Sequence, residues 1–90
     1  MEIKASFSIN EKIKYEGEDV YLGRCLSGTL EQGDILITSS SEYEIEKIFH
    51  INREQKILGV GYTGGLQFIP QKAIIFKIGE VFNIKKKGSF

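Results

Sequence analysis

The sequence predicts an all-β domain, a small closed antiparallel β-barrel of about six strands. Short apolar stretches recur along the chain with polar residues interleaved. Ten glycines and one proline punctuate them, and no segment holds a convincing helical period. Glycine also falls inside the predicted strands, where a small barrel needs places to turn sharply.

The first strand covers residues 3 to 15, with Ile3, Ala5, Phe7, Ile9, Ile13 and Tyr15 at alternate positions and polar residues between them. Glu11 interrupts this inner row, so Asn10-Glu11 marks a bend or a bulge. Glu16 to Asp19 reads as a polar turn. A second strand runs from Val20 to Leu26, with Gly23 as a kink or a close backbone approach. Ser27-Gly28-Thr29 and Gln32-Gly33-Asp34 read as turns around a buried Leu30, before the apolar run Ile35-Leu36-Ile37.

Residues 42 to 51 need arbitration, because Ser39-x-x-Glu42 and Ser41-x-x-Glu44 both match a helix capping box. As a strand, Tyr43, Ile45, Phe49 and Ile51 share a face with Lys47, and Glu44, Glu46 and His50 share the other with Ile48. A helix would align Ile45, Ile48 and Phe49 and then run into Asn52, Gln55 and Lys56, so the strand fits better. A strand at Ile57 to Thr63 follows. Leu66 to Lys72 reads as a loop or edge, since Pro70 cannot donate to a ladder. Ala73 to Ile78 and Val81 to Ile84 are two further apolar runs around Gly79-Glu80.

The expected organisation is one barrel domain over residues 1–84 with a short basic tail at 85–90. At 90 residues, with 41% apolar and 27% charged content, the chain holds a single core. No run approaches the about eighteen apolar residues that cross a bilayer, and the alternating N-terminus is unlike a leader peptide, so a soluble, cytoplasmic protein without membrane partners is expected. Residues 1 to 54 hold eleven acids and six bases, residues 55 to 90 one acid and six bases. Either these two pools form opposite surfaces, or interleaved strands mix them.

Chemistry-bearing residues are sparse. Cys25 and His50 are the only cysteine and histidine, so one chain builds no disulfide and no Cys/His metal cage, and no metal or cofactor is expected. Cys25 reads as a small apolar strand residue, His50 as a polar residue on an outer strand face. No serine has a recognisable triad. Glu42, Glu44 and Glu46 alternate, either to bind a cation or basic partner or simply to keep a face wet. No catalytic residues are assigned and no enzyme is expected. Gly23 to Thr29 copies the frame of a phosphate loop, but its lysine is absent and Gly33 interrupts the helix that should follow, so no nucleotide is expected. Lys85-Lys86-Lys87 either meets a phosphate backbone, with Phe82 or Phe90 offering a stacking surface, or only solubilises the terminus.

The segment Gly23-Arg24-Cys25-Leu26-Ser27-Gly28-Thr29-Leu30-Glu31-Gln32-Gly33-Asp34-Ile35-Leu36-Ile37 resembles a pattern of the second domain of the translation GTPases, G-R-V-x-x-G-x-[IL]-x-x-G-[DE]-x-V-x-I. Phe7-Ser8-Ile9, Ile45 to Phe49, Leu58 to Gly64 (likened to V-G-L-x-L-R-G) and Gly79 to Phe82 agree with further blocks in order, so the resemblance spans about residues 5 to 84. It makes Gly23, Gly28, Gly33, Gly59 and Gly79 the fold-motif glycines. Thr63 replaces a usual arginine, and Leu26, Ile35 and Ile37 stand where the family often has polar residues. Neither a phosphate loop nor the guanine-reading N-K-x-D is present, so the resemblance implies a stand-alone barrel without a GTPase domain. In those GTPases the barrel contacts the small ribosomal subunit and, in the tRNA carriers, the acceptor end of aminoacyl-tRNA.

Two readings of function follow. In the first, a non-catalytic binding module uses Leu26, Ile35, Ile37, Leu66, Phe68 and Ile69 for contacts with a protein, a second copy or the translation machinery. In the second, Arg24, Lys56, Lys72, Lys77, Lys85, Lys86 and Lys87 bind RNA or the ribosome.

Overall fold

A computed structural model describes residues 2–88. Its strands are β1 (Ala5–Tyr15), β2 (Glu18–Glu31), β3 (Ile35–Ile37), β4 (Glu42–His50), β5 (Arg53–Gln55), β6 (Ile57–Gly59), β7 (Thr63–Ile69) and β8 (Glu80–Lys85). Six close a ring of antiparallel pairs in the order β1-β8-β3-β4-β7-β2, with β2 returning to β1; β5 extends β4 and β6 extends β2. The described residues contain no helix. The fold is the predicted all-β closed barrel.

The inward row of each strand fills the ring. Phe7, Ile9, Leu30, Leu36, Ile45, Ile48, Leu66 and Ile84 are completely buried, with Tyr21, Tyr43, Phe68 and Phe82 packed among them. At Gly23 β1 and β2 approach closely: a Cβ there would run into the carbonyl oxygen of Ser8.

Two bulges decide which residues face out. In β1, Ile9 pairs with Gly23 and Glu11 with Leu22, leaving Asn10 as the extra residue. That slip turns Glu11 out of the core, where a carboxylate would lose its hydration, and it carries Ile13 and Tyr15 outward as well. In β4, Ile45 pairs with Phe68 and Lys47 with Gln67, with Glu46 as the extra residue. Lys47 and Phe49 thus face out while Ile48 enters the core, which corrects the regular alternation expected over β4; in β1 the break expected at Asn10-Glu11 is a bulge, and past it Ile13 and Tyr15 leave the inner row.

Other expectations are also revised. Ser27-Gly28-Thr29 is no turn but part of the long β2, which slips register against β1 beside Leu26. The expected strand over Ile57–Thr63 is broken between β6 and β7. The segment Leu66 to Lys72, expected as a loop or edge, is mostly β7, a central strand between β4 and β2; Pro70 stands just past its end and removes no ladder bond. The apolar run Ala73 to Ile78 forms an irregular strap. Its Ile74 is buried and donates its N–H to the Tyr21 hydroxyl at 2.9 Å, while Phe76 meets the Tyr21 ring edge-on.

Candidate functional site

The outward residues delivered by the two bulges line a concavity. It is a cleft of about 570 Å³ on the outer face of β1, β2, β7 and β4, lined by Ile13, Tyr15, Val20, Leu22, Phe49 and Ile51, with Asn10, Glu11, Asn52 and Thr63 among its polar residues. Gly65 lies between Leu22 and Phe49 in the cross-strand register. A Cβ on it would crowd Val20 and Leu22, so the bare backbone lets those side chains lie close to the sheet. Tyr15 reaches across to Phe49, ring centroids 5.6 Å apart at 63°.

A smaller hollow of about 240 Å³ shares Tyr15, Phe49 and Asn52 with the cleft and adds Glu16, Glu18, Glu54, Gln67 and Lys47. The Gln67 amide donates to Glu18 at 2.6 Å and to Glu46 at 3.0 Å, holding two carboxylates together. Arg24 stands at the opposite end, across from Thr63.

The residues singled out in the sequence do not gather into one site. Leu66 and Phe68 are core side chains, at 0% and 2% exposure, and cannot form an interface. Ile35 and Ile69 flank Glu44 in a cross-strand row that continues to Lys85, with half-buried Ile37 in the next row. Leu26, exposed on β2, is elsewhere. Sequence reasoning missed Ile13, Tyr15, Leu22, Phe49 and Ile51 as a group; the charged residues interrupting the inner rows, Glu11 and Lys47, were the available signal.

The basic candidates are divided. Lys85 pairs with Glu42 at 2.9 Å and Lys87 with Glu44 at 2.8 Å, so the two charge pools interleave at this seam. Arg24, Lys56, Lys72, Lys77 and Lys86 are exposed. Lys56 adjoins the β2–β3 turn, where its carbonyl accepts from Gln32, and Lys72 and Lys77 ride on the strap. Phe82 is buried, and Phe90 and Ser89 lie outside the described residues.

The remaining polar candidates have structural surroundings. His50 donates from Nδ1 to the carbonyl of Thr63 at 2.7 Å and meets the Tyr62 ring edge-on. Cys25 is fully buried, its thiol turned toward the carbonyls of Ser27 and Gly28, and burial pushes its pKa up. Among the described residues, no three His, Cys, Asp or Glu side chains cluster to hold a metal, and no helix is long and apolar enough to cross a membrane. Gly28 abuts the carbonyl of Lys4, Gly33 and Gly79 occupy turns, and Gly59 ends β6.

The ring order and paired strands define the class: a closed six-stranded barrel like those of the translation factors. A particular solved example is the bacterial selenocysteine-specific elongation factor EF-Sec, whose crystal structure matches 90% of this chain with a TM-score of 0.76 at 16% identity. The chain spans 14% of the length of that factor, and the likeness is one of fold. No family model and no curated protein matches the chain. The segment Leu58 to Gly64, likened to V-G-L-x-L-R-G, holds the end of β6, a turn and the start of β7.

Proposed function

We propose that this barrel is a non-catalytic binding module that works through protein–protein contacts at the translation machinery. The observation that supports it is the outer cleft, an apolar concavity on the outside of a barrel whose own core is already filled. Apolar surface left in water costs about 25 cal/mol per Å², and a covering partner removes that cost. The row Ile35–Glu44–Ile69 offers a second apolar surface, suited to a wider interface or a second copy. Thr63, in place of the usual arginine, leaves the tRNA-carrier role of this barrel without one of its basic residues.

RNA or ribosome binding is the alternative reading, favoured by the exposed Arg24, Lys56, Lys72, Lys77 and Lys86. The ion pairs of Lys85 and Lys87 with Glu42 and Glu44 weigh against it, because a cation already neutralised releases fewer counterions when it meets a phosphate. Binding to purified small ribosomal subunits, measured between low and high salt, tests the two. Protein contacts predict a shallow salt dependence that survives neutralising Lys56, Lys72, Lys77 and Lys86 to glutamine. A steep dependence that flattens with each neutralised lysine would replace the proposal with the RNA reading.

A further inference from the structure

We infer that the Tyr15–Phe49 cleft binds a basic polypeptide segment carrying an apolar side chain, with that side chain against Phe49 and Ile51 and its cations over the adjoining acidic hollow. This rests on the protein-contact reading and specifies its partner.

The first ground is Ile51. It is 79% exposed and sits at φ 49° in the two-residue turn between β4 and β5, followed by Asn52 at φ 60°. Turns with both central residues at positive φ are built for asparagine and glycine, and a β-branched residue in the left-handed region is a strained exception. Ile51 therefore combines backbone strain with exposed apolar surface, and it repays neither by burial in the barrel. Strain of this kind, held by the surrounding structure, marks positions kept for binding. Its side chain lines the cleft.

The second ground is charge. Glu16, Glu18 and Glu54 line the hollow against one cation, Lys47. None of the three carboxylates has an ion-pair partner among the described residues, whose pairs involve other acids. Gln67 draws Glu46 to the same place, and Glu11 lines the cleft itself. A phosphate backbone or an acidic peptide would be repelled here. Lysine and arginine on an extended chain would meet unpaired carboxylates next to an apolar slot, and such complementarity sets both encounter rate and choice of partner. A cleft of about 570 Å³ falls in the range of roughly 300–1,000 Å³ that accommodates ligands.

The test uses the full chain labelled with nitrogen-15. It is titrated with a synthetic peptide in which lysines and arginines flank a Leu-Phe centre, with the same peptide bearing glutamates instead, and with a single-stranded RNA oligonucleotide. The expected result is saturable shifts from the basic peptide at Tyr15, Leu22, Phe49 to Asn52 and Thr63 to Gly65, and binding of the acidic peptide at least about tenfold weaker. Ile51→Asn and the double variant Glu16→Gln/Glu54→Gln should each weaken the basic peptide by about fivefold. The asparagine variant should do so with a higher melting temperature, which separates lost contact from lost fold. Equal affinity for the acidic peptide, or undiminished binding by both variants, would overturn the inference. Shifts confined to the Ile35–Ile69 row would overturn it while leaving the protein-contact reading intact. Saturable shifts from the RNA alone would overturn both.

Discussion

Tyr15 and Phe49 meet edge to face across the outer surface of the barrel, 5.6 Å between centroids, although both lie in strands whose earlier residues alternate into the core. Each is there because a single extra residue, Asn10 in β1 and Glu46 in β4, slips the register of its strand. The slips keep Glu11 and Lys47 out of the core. The side chains that follow then find each other outside and tie the β1–β2 hairpin to β4.

Tyr15→Ala should loosen that hairpin without unfolding the barrel. An aromatic pair contributes about 0.5–1.5 kcal/mol beyond its burial, and Tyr15 is half exposed, so global stability should fall by about 1 kcal/mol. Amide hydrogen exchange should quicken over residues 12–20 and stay unchanged in β3 and β8. Uniform acceleration across the barrel would refute a local tie.

These bulges also mark the limit of what the sequence discloses. Glu11 and Lys47 each stand in an inner row and so advertise a slip, but the extra residue of β4, Glu46, is one of three alternating glutamates and looks regular. Pairing across the sheet decides it, because Ile45 and Ile48 must both face inward opposite Phe68 and Leu66. The central place of β7 was hidden for a similar reason. Pro70 and a glycine pair suggest a loop, while burial of Leu66 and Phe68 depends on neighbours from β4 and β2 that lie far away in sequence. The turn at Gly33 was legible because its cause is local, whereas Gly23 showed only as a kink or a close approach until the carbonyl of Ser8 across the β1–β2 pair gave its cause, and Gly28 read as a turn although it lies within β2.

Ile51→Asn should stabilise the protein by about 0.5–1 kcal/mol, since asparagine tolerates the left-handed backbone that isoleucine resists. Little packing is lost at a side chain that is 79% exposed. The measurement is the midpoint of urea unfolding, with the slope unchanged. A lower midpoint would mean that Ile51 contributes packing that its exposure hides.

Gly23→Ala should be far more damaging than Gly33→Ala. A Cβ at Gly23 would occupy the space of the Ser8 carbonyl oxygen, whereas one at Gly33 meets open space and is opposed only by its φ of 94°. The first should cost about 3 kcal/mol or more, because two paired strands must separate, and the second about 1 kcal/mol. Thermal unfolding of the two variants side by side checks the ranking, and equal losses would contradict the close approach.

Cys25 should be inert in the folded protein. Burial raises its pKa and no surface of the residue is exposed, so the thiolate that reacts with a disulfide reagent is both scarce and unreachable. Labelling should proceed only at the rate of unfolding and rise with urea. Prompt labelling in native buffer would show that β2 opens locally beside Ser27.

Acid should weaken the join between the start of the chain and the β2–β3 turn. Lys4 bonds Glu31 at 2.9 Å and Asp34 at 2.8 Å, and Asp34 also accepts the N–H of Glu31 at 2.8 Å. Burial by itself would lower the Lys4 pKa, but the hydrogen bonds and charges of Asp34 and Glu31 outweigh it and hold it above the ordinary lysine value. Lys4 therefore stays charged through neutral pH, and its contribution is lost only as pH rises through that raised value. Glu31 moves the other way: the hydrogen bond from Lys4 lowers its pKa below the ordinary 4.5. A depressed carboxylate contributes stability that is present above its unfolded pKa and is lost as pH falls through the folded one. Asp19, lowered mainly by its hydrogen bond with Lys14, adds to the same acid limb. Stability should thus decline as pH drops below the ordinary carboxylate range, and Lys4→Met should flatten that decline while lowering stability at neutral pH. Urea midpoints measured across this range for both proteins decide it: parallel curves would show that Glu31 draws nothing from Lys4.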